Sequence, residues 1–454
     1  MQPLRRARFE ALCYSRSPNA NWISEEREWY SGTEERVLGI VLWDRCDHDW
    51  LWIVMGRDKT GLFRAIDLNH SLPSIEQARD QLRVQLDAYS TTGKKVFEQG
   101  DEPEKKKGLS LFVPQVPDDQ LNPLFRYIAV GEHHSAAREI MAEIAHAFVD
   151  VDGNYTKDFQ TGGFNARLWE FYLFAFFYEQ RFSILRDFVS PDFCLAKDGF
   201  PVGVEAVTVN PSAGETPPKP TNDDELKRLR EDYMPIKFGS SLYSKLNRKN
   251  PYWELPHMRG KPFVLAIHDY LVDDSMTWSA PALEDYLFGS RATWSKDASG
   301  KLHIVEEPIK EHVWGTKRIP SGFFQLPGAE NVSAVIFSNA ATVAKFNRMG
   351  KLAGFGNLKV VMWRIGLLHD FDPNATTPIP FNVEVTPDTY QESWAEGVRL
   401  YHNPHARLPI PEGVFTNCAH YVFENGKRRA FLPDPFIHQS RTFVVAPKSS
   451  RAEK

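Results

Sequence analysis

Two hydrophobic patterns recur along this chain. Short alternating or continuous apolar runs alternate with longer stretches of helical spacing, and their order predicts a mixed α/β (α+β) protein. Near the N-terminus, 36–43 and Trp50–Arg57 read as strands joined by the polar segment 44–49, and 62–66 as a third. Ser74 with Gln77 three residues on marks the start of a helix over 74–86. Helical spacing returns over 135–149, where Ile140, Met141, Ile144 and Phe148 share a face, and over 165–180, which is apolar almost all round. Two strand-like runs follow, Phe193–Lys197 and 202–209, separated by Asp198-Gly199, a dipeptide suited to a two-residue type I′ turn. Helices are expected at 225–233 and 237–250, and a buried strand at 262–270. Further on, 279–290 and 392–401 read as helices, 333–337 and 358–366 as strands, and 340–349 as a helix between them. From Pro373 onward the chain is rich in proline and reads as an irregular tail that wraps the core.

These elements group into three parts: an α+β unit at 1–125, a central region at 126–375 and a C-terminal extension at 376–454. Segment 100–108, containing EPEKKK, is a charged loop or linker.

Composition changes this picture little. With 454 residues, 42% hydrophobic and 25% charged, the chain is globular, and a net charge of −5 neither requires nor excludes nucleic acid. The cysteines, Cys13, Cys46, Cys194 and Cys418, are scattered with no paired spacing, which argues against a zinc knuckle or a disulfide scaffold and favours a reducing cytoplasm. The longest apolar block, 171–178, is too short to span a bilayer. No membrane partner is expected.

Chemistry concentrates at the hairpin. Its turn sets a register in which Lys197 pairs with Phe200, Cys194 with Gly203 and Asp192 with Glu205. Opposed residues have Cβ atoms about 4.5–5.5 Å apart, and like charges there repel. A divalent cation held by both carboxylates would relieve that repulsion. Glu170 stands on the apolar helix, where a carboxylate must be protonated, paired or metal-bound; Arg167, one turn back, is the structural partner. In 237–250, Phe238, Leu242 and Leu246 form an inward stripe, and Lys245 lies on the same side. Such an ammonium needs a carboxylate, a phosphate or a route to solvent along the stripe's edge.

Other polar clusters weigh less. The DRCDHD loop at 44–49 is better read as a hairpin tip than a metal site, because ligands crowded into one short loop rarely close a coordination shell. Adjacent His268 and Asp269 point to opposite faces of a strand, and no nucleophile motif accompanies them. The Ala353-Gly354-Phe355-Gly356 stretch is a turn, too short for a phosphate loop, and Asn347-Arg348 are polar residues that could reach a substrate.

Taken in order, a helix carrying Glu170, a strand region, Pro191-Asp192, a hairpin ending in Glu205-Ala206-Val207, a helix and a buried strand resemble the PD-(D/E)XK nuclease superfamily over roughly 136–272. The resemblance implies a restriction-endonuclease-like mixed central sheet flanked by helices, in αβββαβ order. It implies that Asp192 and Glu205 bind Mg²⁺ or Mn²⁺, that the Ala206 carbonyl joins them, and that Glu170 is an additional carboxylate. Val207 stands where the family places its lysine. Lys197 lies an odd number of residues from Asp192 and faces away; members of the superfamily sometimes supply the lysine from the following helix, so the resemblance implies that the amine comes from Lys245 or not at all.

The implied activity is metal-dependent endonucleolytic hydrolysis of DNA, in restriction or defence, by a homodimer or a larger complex. Carboxylates are the hard ligands such ions require, and Lys245 would lower the pKa of the attacking water or neutralise developing charge. Lys237, Arg248 and Lys249, with Lys227, Arg228 and Arg230, could bind phosphates or simply form a solvated helix face. The competing class is an inactive nuclease-fold module for nucleic-acid binding or assembly. A third is a hydrolase acting on a smaller phosphoester.

Overall fold

The computed structural model describes residues 1–102, 109–212 and 214–446; most of the EPEKKK segment lies outside them. The fold is a mixture of α and β. An N-terminal antiparallel sheet contains Ser24–Ser31 (β1), Val37–Asp44 (β2), Trp50–Arg57 (β3) and Phe63–Leu72 (β4), with Gln2–Pro3 pairing on the β1 edge. Helix Ile75–Thr91 (α1) covers one face, and its Ser74 cap accepts from the Gln77 backbone N–H at 3.2 Å, as expected. Period-two alternation in β2 divides its side chains. Val37 and Val41 pack with Leu82 and Leu86 of α1, whereas Leu38, Ile40 and Leu42 turn toward the main core. Gly39 permits that close approach, since a Cβ there would lie 2.7 Å from Leu86.

The central region begins with helices Ser135–Ala147 (α2) and Phe164–Glu179 (α3), followed by strands Ser183–Leu185 (β5), Phe193–Lys197 (β6) and Phe200–Val209 (β7). Helix Met234–Leu246 (α4), strand Phe263–Asp269 (β8) and helix Ala280–Phe288 (α5) come next. Two small hairpins, Ser290–Lys296 with Leu302–Pro308 and Glu311–Trp314 with Lys317–Pro320, precede strand Ala334–Phe337 (β9) and helix Val343–Leu352 (α6). The remaining strands are Val361–Leu368 (β10), Ile379–Glu384 (β11), Arg399–His402 (β12), Ala419–Glu424 (β13), Lys427–Phe431 (β14) and Ile437–Val445 (β15).

The central sheet has the order β14-β13-β12-β9-β8-β7-β6-β5, in which β7, β8 and β9 run parallel and β5-β6-β7 form an antiparallel meander. Alternation assigns the two faces. Val202, Val204, Val264, Ala266, Ala334 and Ile336 pack with α2 and α3, while Val207, Val209, Leu265, Ile267 and Phe337 pack with α4 and α5. Each fully buried Val, Leu or Phe contributes about 1.5–3 kcal/mol. Sandwiched between this sheet and its neighbours, α3 is buried on nearly every side, which accounts for its lack of a polar face.

Two expectations are corrected. Beyond Pro373 the chain is not an irregular tail: β12, β13 and β14 extend the central sheet, and β11-β10-β15 form a separate antiparallel sheet. Strand β12 is four residues long and its partners are distant in sequence, so its pairing leaves little local pattern, whereas β13 and β14 are joined by Asn425-Gly426, both with positive φ, a local hairpin signal that the proline-rich composition of this stretch obscured. Residues 392–401 do not form a helix but irregular chain leading into β12. Glu392 and Glu396 mimic helical spacing there; instead, Glu392 is buried against Lys345, Arg348 and Arg364, at 2.6, 2.8 and 3.5 Å.

Candidate active site

The hairpin forms as its turn chemistry demands. Asp198 and Gly199 both have positive φ, 51° and 81°, as a type I′ turn requires, and Lys197 pairs with Phe200 and Cys194 with Gly203. The ladder's outer end is Phe193 opposite Val204, so Asp192 stands just beyond it rather than in a regular pair with Glu205. The two acids nevertheless meet. Asp192 donates its backbone N–H to Glu205 Oε2 at 3.3 Å, and Asp192 Oδ2 accepts from the Ala206 backbone N–H at 2.8 Å.

Alternation along β7 points Glu205 toward α4, on the face that carries Val207 and Val209. Helix α4 buries Phe238, Leu242 and Leu246, and Lys245 at the edge of that stripe reaches Glu205 Oε1 with its Nζ at 2.8 Å. The same oxygen accepts from the Tyr252 hydroxyl at 2.8 Å. An acid, an amine and a phenol therefore converge from β7, α4 and the turn Tyr252–Glu254. Lys197 points elsewhere, donating to the Val414 carbonyl at 2.9 Å.

Electrostatics separate the carboxylates. Partial burial, then the charges of Glu205 and Glu170, push the Asp192 carboxyl well above the usual carboxylate range. Burial followed by Glu205 raises the Tyr252 phenol, so it remains a donor at neutral pH. Glu170 is 5% exposed and held by arginines: its Oε1 accepts from Arg167 at 2.9 Å, and its Oε2 lies 3.5 Å from Arg186. Burial raises its pKa while both arginines oppose the shift. Arg186 in turn lies 4.1 Å over the Phe148 ring. Glu170 thus has the Arg167 partner foreseen for it, and acts on Asp192 as a nearby charge.

The basic residues divide. Arg248 lies over the Tyr252 ring at 4.5 Å and donates to Ser190 Oγ at 2.6 Å, beside the acids, and Lys249 follows it on the surface. Lys237, about two turns before Lys245 along α4, instead faces Glu215 at 3.3 Å and Ser212 at 3.4 Å. Asn347 and Arg348 are buried in the fold: Asn347 accepts from the Ala137 N–H, and Arg348 pairs with Glu392. Sequence reasoning missed Tyr252, Arg186 and Ser190, whose roles arise from long-range contacts with no local spacing to betray them. In the DRCDHD loop, Asp44 caps the turn by accepting from the Cys46 and Asp47 N–H groups.

Among the described residues, no three His, Cys, Asp or Glu side chains converge as a metal-binding group. The Asp192–Glu205 pair still suits a hard divalent ion. It offers two carboxylates whose mutual repulsion a cation would relieve, and such ions commonly complete their shell with backbone carbonyls and water. Asp192 and Glu205 would hold the ion, with the Ala206 carbonyl as the third protein oxygen; Glu170 is already engaged by its arginines.

No family model, curated protein or solved structure matches this chain.

Proposed function

We propose that this protein is a divalent-metal-dependent endonuclease of the PD-(D/E)XK type that hydrolyses phosphodiester bonds in DNA. The observation that carries the reading is the 2.8 Å contact between Lys245 Nζ and Glu205 Oε1. It brings an amine from the next helix to the hairpin acids, where Val207 leaves the motif without its own lysine. The order α3-β5-β6-β7-α4-β8 supports a restriction-endonuclease-like core. A role in restriction or defence in the cytoplasm rests on the resemblance alone.

Each residue then has a task. Asp192 and Glu205 are the ligands for Mg²⁺ or Mn²⁺. The chemistry a bound divalent ion supplies is charge neutralisation at the phosphate and acidification of the attacking water. Lys245 places a positive charge where negative charge grows on the phosphoryl oxygens, and Glu205, itself held by the Tyr252 hydroxyl, fixes its position. Arg248 and Lys249 would contact flanking phosphates.

Cleavage of plasmid and of single-stranded DNA with Mg²⁺ or Mn²⁺ tests this directly. Asp192→Ala and Glu205→Ala should each reduce cleavage by about 10²-fold or more, and undiminished cleavage in both variants would sink the assignment. One observation favours the inactive-module reading: Glu205 already accepts from Lys245, Tyr252 and the Asp192 N–H, contacts with which an ion would compete. Absence of Mn²⁺ binding by calorimetry would select that alternative.

A further inference from the structure

The segment leading into Asp192 carries an aromatic feature that the hydrolytic residues do not use. Phe188 and His257 stack with ring centroids 3.8 Å apart and an interplanar angle of 0°. His257 Nε2 also lies 2.9 Å from the Ser190 carbonyl, and Arg248 donates to Ser190 Oγ at 2.6 Å. The segment is therefore clamped from two sides. Despite this clamp, Phe188 remains 40% exposed and the adjoining Val189 is 74% exposed. A ring that served only to pin the segment would gain most by burying both faces.

We infer that Phe188, backed by His257, is a stacking platform for an unpaired base, and that the substrate presented to Asp192 and Glu205 is single-stranded or locally unpaired DNA. The identity of the bound strand as a substrate rests on the nuclease reading above; the stacking itself does not. Phe188 precedes Asp192 by four residues, a chain reach of about 14 Å at most. A base resting on the ring would thus keep its strand beside the two acids. One cation is placed beside this segment: Arg248 donates to Ser190 Oγ, and its neighbour Lys249, like Arg259 two residues beyond His257, is exposed. An aromatic face flanked by cations is the usual recipe for holding a single strand, because every base has a π face and the phosphates supply the charge. In a duplex the bases already stack on each other and present no free face, so the platform disfavours paired DNA.

Fluorescence anisotropy in EDTA, with a labelled single-stranded oligodeoxynucleotide, an abasic strand of equal length and charge, and the corresponding duplex, tests the platform without cleavage. Stacking of one base is worth about 1–3 kcal/mol, so the single strand should bind about 5- to 150-fold more tightly than the abasic strand. Phe188→Ala should erase that difference while leaving abasic binding unchanged, and Phe188→Trp should preserve it. Equal affinity of the unmodified protein for the normal and abasic strands overturns the platform, whatever the variants do. So does tighter binding of the duplex than of the single strand. Cleavage of the same oligonucleotides in Mg²⁺ reads the other claim separately. A base-dependent affinity without metal-dependent cleavage would retain the platform and reject the nuclease.

Discussion

Replacing Lys245 with methionine removes the ammonium at nearly constant volume and separates an enzyme from an inactive relative. The lysine side chain is 33% exposed and that of Glu205 10% exposed, so their ion pair lies between two regimes. Exposed pairs are worth about 0.2–1 kcal/mol, and breaking a fully buried pair costs about 3–5 kcal/mol. Solvent screening at the lysine end reduces the upper figure, and Glu205 keeps its bonds from Tyr252 and the Asp192 N–H. Lys245→Met should therefore cost about 2 kcal/mol of stability and leave the fold intact. Cleavage should fall much further, by about 10²- to 10³-fold, because a positive charge at the developing phosphoryl charge is lost. Mn²⁺ binding should move the other way: with its competing ammonium gone, Glu205 presents more negative charge and calorimetry should show tighter binding. Urea unfolding, plasmid cleavage and Mn²⁺ calorimetry on one variant give three independent readings. Full cleavage with Lys245 absent, or Mn²⁺ binding abolished rather than strengthened, would refute the role given to this residue.

The raised Asp192 carboxyl makes two properties depend on pH in opposite directions. An unfolded aspartate titrates near about 3.9, so above that value the unfolded chain has released a proton that the native state still holds. The contribution of Asp192 to stability is fully present below about 3.9 and is lost as pH rises through the folded value, while Mn²⁺ affinity increases over the same window. Asp192→Asn should remove both dependences; a variant with the same stability slope as the unmodified protein would locate the proton elsewhere. Glu170→Gln should destabilise the fold by about 3–5 kcal/mol in urea, because it leaves Arg186 buried without a carboxylate. Two Arg186 nitrogens already lack hydrogen-bond partners, so a loss below about 1 kcal/mol would mean that the Glu170 charge does not hold this arginine.

Local features of the sequence determined the mixed α/β class, the 193–209 hairpin and the inward stripe of α4. Each has a short-range cause: Asp-Gly tolerates the two positive φ values, alternation gives each strand two faces, and a four-residue recurrence gives a helix one. From these alone, Asp192, Glu205 and Lys245 stood out as residues that needed partners. The tertiary structure decided which partners they have. Lys245 and Glu205 lie 40 residues apart, and no local pattern reports an ion pair across that distance. Part of the tail beyond Pro373 was misread for the same reason, although its hairpin 419–431 carries a local turn signal in Asn425-Gly426. Strands such as Arg399–His402 are only four residues long and become strands because β9 and β13 lie on either side of them. Residues 392–398 likewise have a helix-like pattern of acids, but burying Glu392 among Lys345, Arg348 and Arg364 prevails over that weak local preference.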